Sequence, residues 1–280
     1  MRAVRSVQRQ TMDDYEHIII DDGSRDETLD CVNGLEDRRV KLVSLGRNRG
    51  ANFARNVGLE KAKSPLVTFL DSDDAFKSER LASVVTQFDQ EPDLNVTISS
   101  FVTMRGGEAR ESINPSLFLS KELFEKALIY HAVCIAGSAI SARLDTVRSA
   151  GGFTERLQRL QDRDFLLSVS QTTGVKLLSK VDWVKHESAD SISVPLDGYV
   201  ASFAALLTQH PHLKTDYPEF MKYHAARNII KAVFKGRIST AMSEYQVNRS
   251  YADLDFSASE LVRGYLRGKS LRRKFIQEMM

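Results

Sequence analysis

Asp71, Asp73 and Asp74 close a short apolar run, Leu66 to Leu70, and are the plainest chemistry in the chain. Three carboxylates this close repel one another unless a cation lies between them. Oxygen ligands of this kind suit Mg²⁺ or Mn²⁺. The plainer reading is a solvated turn in which Asp74 or Ser78 caps the next helix. Two more acidic sites accompany them, Asp21/Asp22 and Asp162/Asp164. Between the first two acidic sites, residues 46–50 form a loop rich in Arg and Asn.

The elements that must carry these groups follow from periodicity. Leu66 to Leu70, with β-branched and aromatic residues, reads as a buried strand. Glu16 to Ile20 and Val40 to Ser44 read as strands, Thr28 to Leu35 as a short helix. Ala51 to Ala62 is helical, with Ala51, Ala54 and Val57 along one face, and Lys63-Ser64-Pro65 ends it. After Ser78 comes a helix with Leu81, Val84, Val85 and Phe88 at i, i+3, i+4, i+7. Leu94 to Phe101 is the next strand. This alternation predicts a parallel sheet with right-handed crossovers. Ligands bind outside the carboxyl ends of such strands, where Asp21 and Asp71 lie.

Beyond residue 100 the pattern is mixed. A helix is expected over Ser120 to Tyr130, a strand over Val133 to Ala142, a turn at Gly151-Gly152-Phe153, a helix from Asp162 and a strand over Val175 to Val181. From about residue 196 only helices are expected: Tyr199 to Thr208, Glu219 to Phe234 and Ala258 to Phe275. The domain division is therefore 1–195 and 196–280. The last helix carries Arg263, Arg267, Lys269, Arg272, Arg273 and Lys274 with no acid among them. Such a face is either solvated or in contact with an anionic membrane surface.

Composition is that of an ordinary globular protein, 42% hydrophobic and 27% charged, with a net charge of +2 that gives no field for nucleic acid. Cys31 and Cys134 form no CxxC pattern and read as small, buried, reduced residues of a cytoplasmic protein. No apolar run approaches the roughly 18–20 residues of a membrane span, and the N-terminus has no signal-peptide core.

Five motifs, in order, resemble glycosyltransferase family 2, the inverting nucleotide-sugar transferases with a GT-A fold. They are Ile18-Ile-Ile-Asp-Asp-Gly-Ser-Arg-Asp-Glu-Thr28, the run Asn48-Arg49-Gly50 to Ala54-Arg-Asn-Val-Gly58, Phe69-Leu-Asp-Ser-Asp-Asp74, Gly151-Gly-Phe-Thr-Glu155 and Gln161-Asp-Arg-Asp-Phe165. The resemblance covers roughly residues 1–195. It implies an α/β fold, a Rossmann-like GT-A domain with a mostly parallel central sheet, followed by a C-terminal helical appendage. It also implies roles. Asp21 or Asp22, with Asp22 favoured, would accept a hydrogen bond from the nucleobase imide. Arg55 would lie against the base and diphosphate. Asp71 would face the ribose or sugar. Asp73 would ligate Mn²⁺ or Mg²⁺, with His186 as a second ligand; a lone histidine is otherwise a structural one. Asp162 would be the catalytic base, with Asp164 the rival. Gln161 stands where an acid often precedes the base. Ser188 to Ser193 resembles a polar lid loop. The implied partners are a nucleotide-sugar donor, most often a uridine one, and a saccharide or lipid-linked saccharide acceptor in polysaccharide synthesis. The implied place is cytoplasmic, with peripheral membrane contact through the last helix.

One departure stands out. Family members open with a strand and turn that contact the nucleoside, and Met1 aligns in the helix after them. The expectation is a central sheet lacking an interior strand, with backbone groups left uncovered. Either the chain is longer upstream, or it is a natural truncation, or another segment or partner fills the place. A rival reading is a non-catalytic GT-A-like scaffold. A dinucleotide-dependent oxidoreductase is disfavoured, because no G-x-G-x-x-G follows a predicted strand.

Overall fold

The structure, a computed structural model, describes residues 1–187 and 198–279. The lid expectation for Ser188 to Ser193 lies outside them. Among the described residues nine strands form two sheets. The first pairs β1 (His17–Asp21) with β2 (Val40–Ser44) in parallel. The second contains β3 (Leu66–Thr68), β4 (Ala75–Phe76), β5 (Val96–Arg105), β6 (Glu108–Ser112), β7 (Leu117–Leu119), β8 (Ile140–Arg143) and β9 (Val175–His186). Its order is β3-β8-β5-β9-β4, with β6 on β5 and β7 on β9.

The α/β class holds, but the mostly parallel sheet does not. Among the described residues only β1–β2 and β5–β9 pair in parallel. The β3–β8, β4–β9, β5–β6, β5–β8 and β7–β9 pairs are antiparallel. The cause is in the connections. Arg105-Gly106-Gly107 folds β5 back as a hairpin instead of starting a helical crossover, and β4 is only two residues long. The sheet is also divided. One edge of β1 pairs with β2, and its other edge has no strand partner among the described residues. Ile18, Ile19 and Ile20 are consequently half-buried in spite of their apolar run.

The first compact unit takes Met1–Phe124, Cys134–Arg156 and Asp162–Ser188. It holds both sheets, with helices α1 (Arg2–Gln8), α2 (Thr28–Asn33), α3 (Ala51–Lys61) and α4 (Arg80–Gln90). Val84 and Phe88 of α4 pack on Leu94. Ser78 does not cap α4. Glu79 stands at the N-cap without a side-chain bond, and Gln10 Oε1 accepts the Leu81 amide instead, at 2.9 Å.

The second unit takes Glu125–Val133, Leu157–Gln161 and Ala189–Met280. Helix α5 (Lys121–Ile129) enters it, while α6 (Leu144–Ser149) belongs to the first unit and α7 (Gln161–Ser170) mostly so. The rest is α8 (Tyr199–Gln209), α9 (Leu213–Asp216), α10 (Pro218–Phe234), α11 (Ile238–Ser250) and α12 (Ala258–Met279). Helices α10 and α12 cross closely. A Cβ on Gly264 would stand 2.3 Å from Lys222 Cβ, and one on Gly268 2.6 Å from Tyr223 Cβ. The two glycines lie one turn apart on one face. No described helix is long and apolar enough to cross a membrane. The cysteines are not buried as expected: Cys31 is exposed and Cys134 half-buried.

Candidate active site

The acidic turn after β1 is built by its own hydrogen bonds. Asp21 is buried and accepts from the Ser24 amide at 3.1 Å and the Ser44 hydroxyl at 2.9 Å. Ser24, by hydroxyl and amide, and Ser44 hold its carboxyl below the usual range. Asp22 points the other way. Its Oδ1 accepts the Arg49 amide at 2.6 Å and its Oδ2 the Gly50 amide at 2.8 Å. It thus fixes the loop that opens α3. Gly23 has φ +80, and a Cβ there would stand 2.6 Å from the Arg47 carbonyl carbon. Only glycine suits that backbone at that separation.

Helix α3 carries Arg55, and the Gly-Gly-Phe motif clamps it from the side. Asn56 Nδ2 donates to the Phe153 carbonyl at 2.8 Å, and the Phe153 amide donates back to Asn56 Oδ1 at 2.8 Å. Asn52 Nδ2 donates to the Thr154 carbonyl at 2.7 Å. Phe153 stacks on Phe165 of α7 at 4.4 Å and meets Phe69 edge-on at 5.2 Å. Arg55 lies over the Phe153 ring at 5.2 Å and donates from Nη2 to Asp71 Oδ1 at 2.6 Å. Two motifs far apart in sequence thereby hold one guanidinium.

Asp162 opens α7 beside this pair. The residue is half-buried, but its Oδ1 is shut off from solvent and has no hydrogen-bond partner. Burial pushes its carboxyl up, Arg55 opposes this, and Asp71 adds to it. A carboxylate held this way binds a proton more readily than an exposed aspartate. Asp164, the rival, is buried. Gly137 lies where Arg55, Asp71 and Asp162 converge. A Cβ on it would be 3.2 Å from Arg55 Nη2, 3.2 Å from Asp162 Oδ1 and 3.6 Å from Asp71 Oδ1. A methyl group there would press on the guanidinium and the Asp162 carboxylate, which would have to give by a few tenths of an ångström.

Asp73 is exposed, and Arg2 Nη1 donates to its carbonyl at 3.0 Å. His186 is half-buried, and burial first, then Arg2, holds its imidazole below the usual range against the pull of Asp73. Among the described residues no group of three or more His, Cys, Asp or Glu side chains could hold a metal by itself. Mg²⁺ is ordinarily held by one or two carboxylates with waters and substrate phosphates, and a neutral imidazole is a metal ligand. Asp73 and His186 by themselves make no all-protein cage.

Asp74 does something the sequence did not suggest. It caps no helix. It is buried, and accepts from the Ser138 hydroxyl at 2.6 Å and the His186 amide at 3.1 Å. Burial pushes its carboxyl up to about 7, against the Ser138 hydrogen bond. Ser138 Oγ also accepts the Asp71 amide at 3.1 Å. Beneath it Arg80, buried, donates to Asp182 Oδ1 at 2.5 Å, Ser99 Oγ at 2.7 Å, the Ser138 carbonyl at 3.1 Å and Ser141 Oγ at 3.2 Å. One arginine from α4 therefore ties β3, β5, β8 and β9 together and holds Ser138, whose hydroxyl bonds the acidic turn. Its signal in the sequence was slight: an arginine at the start of a helix whose partners are spread over residues 68–182.

Comparison with known proteins gives a consistent result. The model of glycosyl transferase family 2 matches residues 1–145. An uncharacterised glycosyltransferase of Haemophilus influenzae is 36% identical over 108 residues, 38% of this chain and 40% of that one. The succinoglycan biosynthesis protein ExoO of Rhizobium meliloti is 37% identical over 89 residues, 32% of this chain and 26% of its own. The teichoic acid poly(glycerol phosphate) polymerase of Staphylococcus epidermidis is 28% identical over 170 residues, 59% of this chain and 23% of its own. The chain thus spans less than half the length of these relatives. A crystal structure of S. aureus TarS in complex with UDP-GlcNAc superposes with a TM-score of 0.64 at 17% identity, covering 97% of this chain and 87% of that one. At that identity the likeness is one of fold.

Proposed function

The chain belongs to glycosyl transferase family 2, and from that premise we propose that it moves a sugar, with inversion, from a UDP-sugar to a saccharide acceptor in surface-polysaccharide synthesis. The observation that carries this reading is the meeting of Arg55, Asp71 and the partnerless Asp162 oxygen around Gly137. Asp162 takes the proton of the acceptor hydroxyl. The freed oxygen forms its bond to the anomeric carbon as the bond from that carbon to the diphosphate oxygen breaks, on the opposite face. The nucleoside diphosphate leaves with the electron pair. Arg55 and Asp71 position the donor, and Asp22 reads the base while Asp21 braces the turn. Asp73 and His186 would hold Mg²⁺ or Mn²⁺, and a cation there would supply charge stabilisation for the leaving diphosphate. The uridine donor is supported by the TarS complex with UDP-GlcNAc, and the polysaccharide acceptor by the succinoglycan and teichoic acid relatives. Two cysteines with no CxxC pattern fit a cytoplasmic setting.

The test combines UDP titration with transfer assays on wild type and Asp162→Asn. Asp162→Asn is expected to retain UDP binding and lose transfer by roughly 10²–10⁴-fold. Near-normal turnover in that variant would remove Asp162 from the base role. The edge of β1 that has no strand partner among the described residues, next to Asp21 and Asp22, favours a second reading, a GT-A-like scaffold without catalysis. A cooperatively folded protein that binds none of UDP, GDP and TDP would support the scaffold.

A further inference from the structure

The corner between α10 and α11 presents apolar side chains to water. Val233 to Ser239 are exposed without a break. Phe234 is 85% exposed, Val233 51%, Ile238 53%, and Met242, one turn along α11, 61%. Gly236, with φ +69, makes the turn around which they gather. Single exposed hydrophobics are ordinary, but a contiguous group marks an interaction surface.

Charge identifies the kind of partner. Between Glu219 and Glu244 the chain carries Lys222, Arg227, Lys231, Lys235 and Arg237 and no acid. The flanking acids are occupied. Glu219 pairs with Arg267 at 3.1 Å. Glu244 is buried and accepts the Gly198 and Val200 amides at 2.6 and 2.9 Å. Lys235 and Arg237 flank the apolar tip, are exposed, and make no salt bridge among the described residues. The last helix, in contrast, spends several of its cations internally: Arg267 on Glu219, Lys274 on Glu278, and Arg272 on the His131 carbonyl.

We infer that the α10–α11 corner docks on an anionic lipid bilayer, with Val233, Phe234, Ile238 and Met242 in the headgroup layer and Lys235 and Arg237 against lipid phosphates. Apolar residues beside cations are the composition of interfacial binding segments. A second copy is a poor occupant, because a two-fold contact sets the same patch against itself and would bring Lys235 and Arg237 of both copies together. The inference does not depend on the transfer reading.

Co-flotation of the 280-residue chain with vesicles tests it. Binding is expected to vesicles of phosphatidylglycerol mixed with phosphatidylcholine, to weaken in high salt, and to be slight on phosphatidylcholine alone. Each cation near such a surface contributes about a fivefold effect, so Lys235→Gln with Arg237→Gln should weaken binding roughly thirtyfold. Phe234→Ser should weaken it about tenfold or more. These positions are exposed, so the melting temperatures of the variants should match wild type. Absence of binding to the anionic vesicles, or binding unchanged in both variants, would overturn the inference. So would lipid-free self-association that Phe234→Ser abolishes, since the patch would then be a protein interface.

Discussion

Ser138 donates its hydroxyl to Asp74 at 2.6 Å at a point where neither side chain reaches solvent. The same oxygen accepts the Asp71 amide. A single hydroxyl therefore links the acidic turn after β3 to the turn before β8. Ser138→Ala leaves Asp74 short of a donor and the Asp71 amide without its acceptor. The expected loss is about 1–3 kcal/mol, read from urea midpoints, with unchanged far-ultraviolet circular dichroism.

Arg80 and Asp182 form the buried ion pair under that turn. Removal of one partner strands the other charge. Arg80→Met should cost about 3–5 kcal/mol, and the double variant Arg80→Met with Asp182→Leu should recover a large part of it. Chemical denaturation of the two singles and the double measures the coupling. Strictly additive losses would mean that the other Arg80 hydrogen bonds, and not this pair, matter most.

Gly137→Ala probes the convergence of Arg55, Asp71 and Asp162. The backbone there is not left-handed, so the added methyl acts by crowding alone. Its contacts at 3.2 Å must be relieved by moving the guanidinium or the carboxylate. Small misplacements of reacting groups are costly to rate. Transfer turnover is expected to fall about tenfold with a much smaller change in melting temperature, checked by steady-state kinetics beside a thermal melt.

His17 gives the pH dependence. Its Nδ1 is buried without a partner, and burial holds the ring at about 4 against the ordinary 6.5. Above the unfolded value both states are neutral and the residue has no effect on stability. As pH falls below it, the unfolded chain takes the proton first, and stability is lost until the folded ring also titrates near 4. The loss over this window is roughly 3 kcal/mol. Urea midpoints measured from pH 7 to pH 4 should decline more steeply in wild type than in His17→Gln.

The legible parts of the molecule were those whose signal is local. Asp71, Asp73 and Asp162 sit in short motifs, and Asn52, Asn56 and Phe153 lie inside two of them, so the clamp on Arg55 joins segments already singled out. Arg80 was not legible, because its partners Ser99, Ser138, Ser141 and Asp182 come from separate elements and only the fold assembles them. Helix α11 was missed for a different reason. Its buried residues are Ala241, Glu244 and Asn248, so no apolar stripe marks it, and Glu244 is inside because it holds the start of α8. The antiparallel pairings were hidden because periodicity reports strands but not their direction.

The Arg80 anchorage has a consequence for how the molecule breathes. Loops that bear chemistry usually belong to the least protected part of a protein. Here the Asp71 amide is bonded to Ser138, the His186 amide to Asp74, and Ser138 is fastened through its carbonyl to a buried arginine. Those amides should take up deuterium only when the whole unit opens, while the amides on the unpaired edge of β1 exchange early. The slow clock and the fast clock of this chain then run at two acidic turns: Asp71 to Asp74 marks global unfolding, and the strand leading to Asp21 and Asp22 marks local fraying.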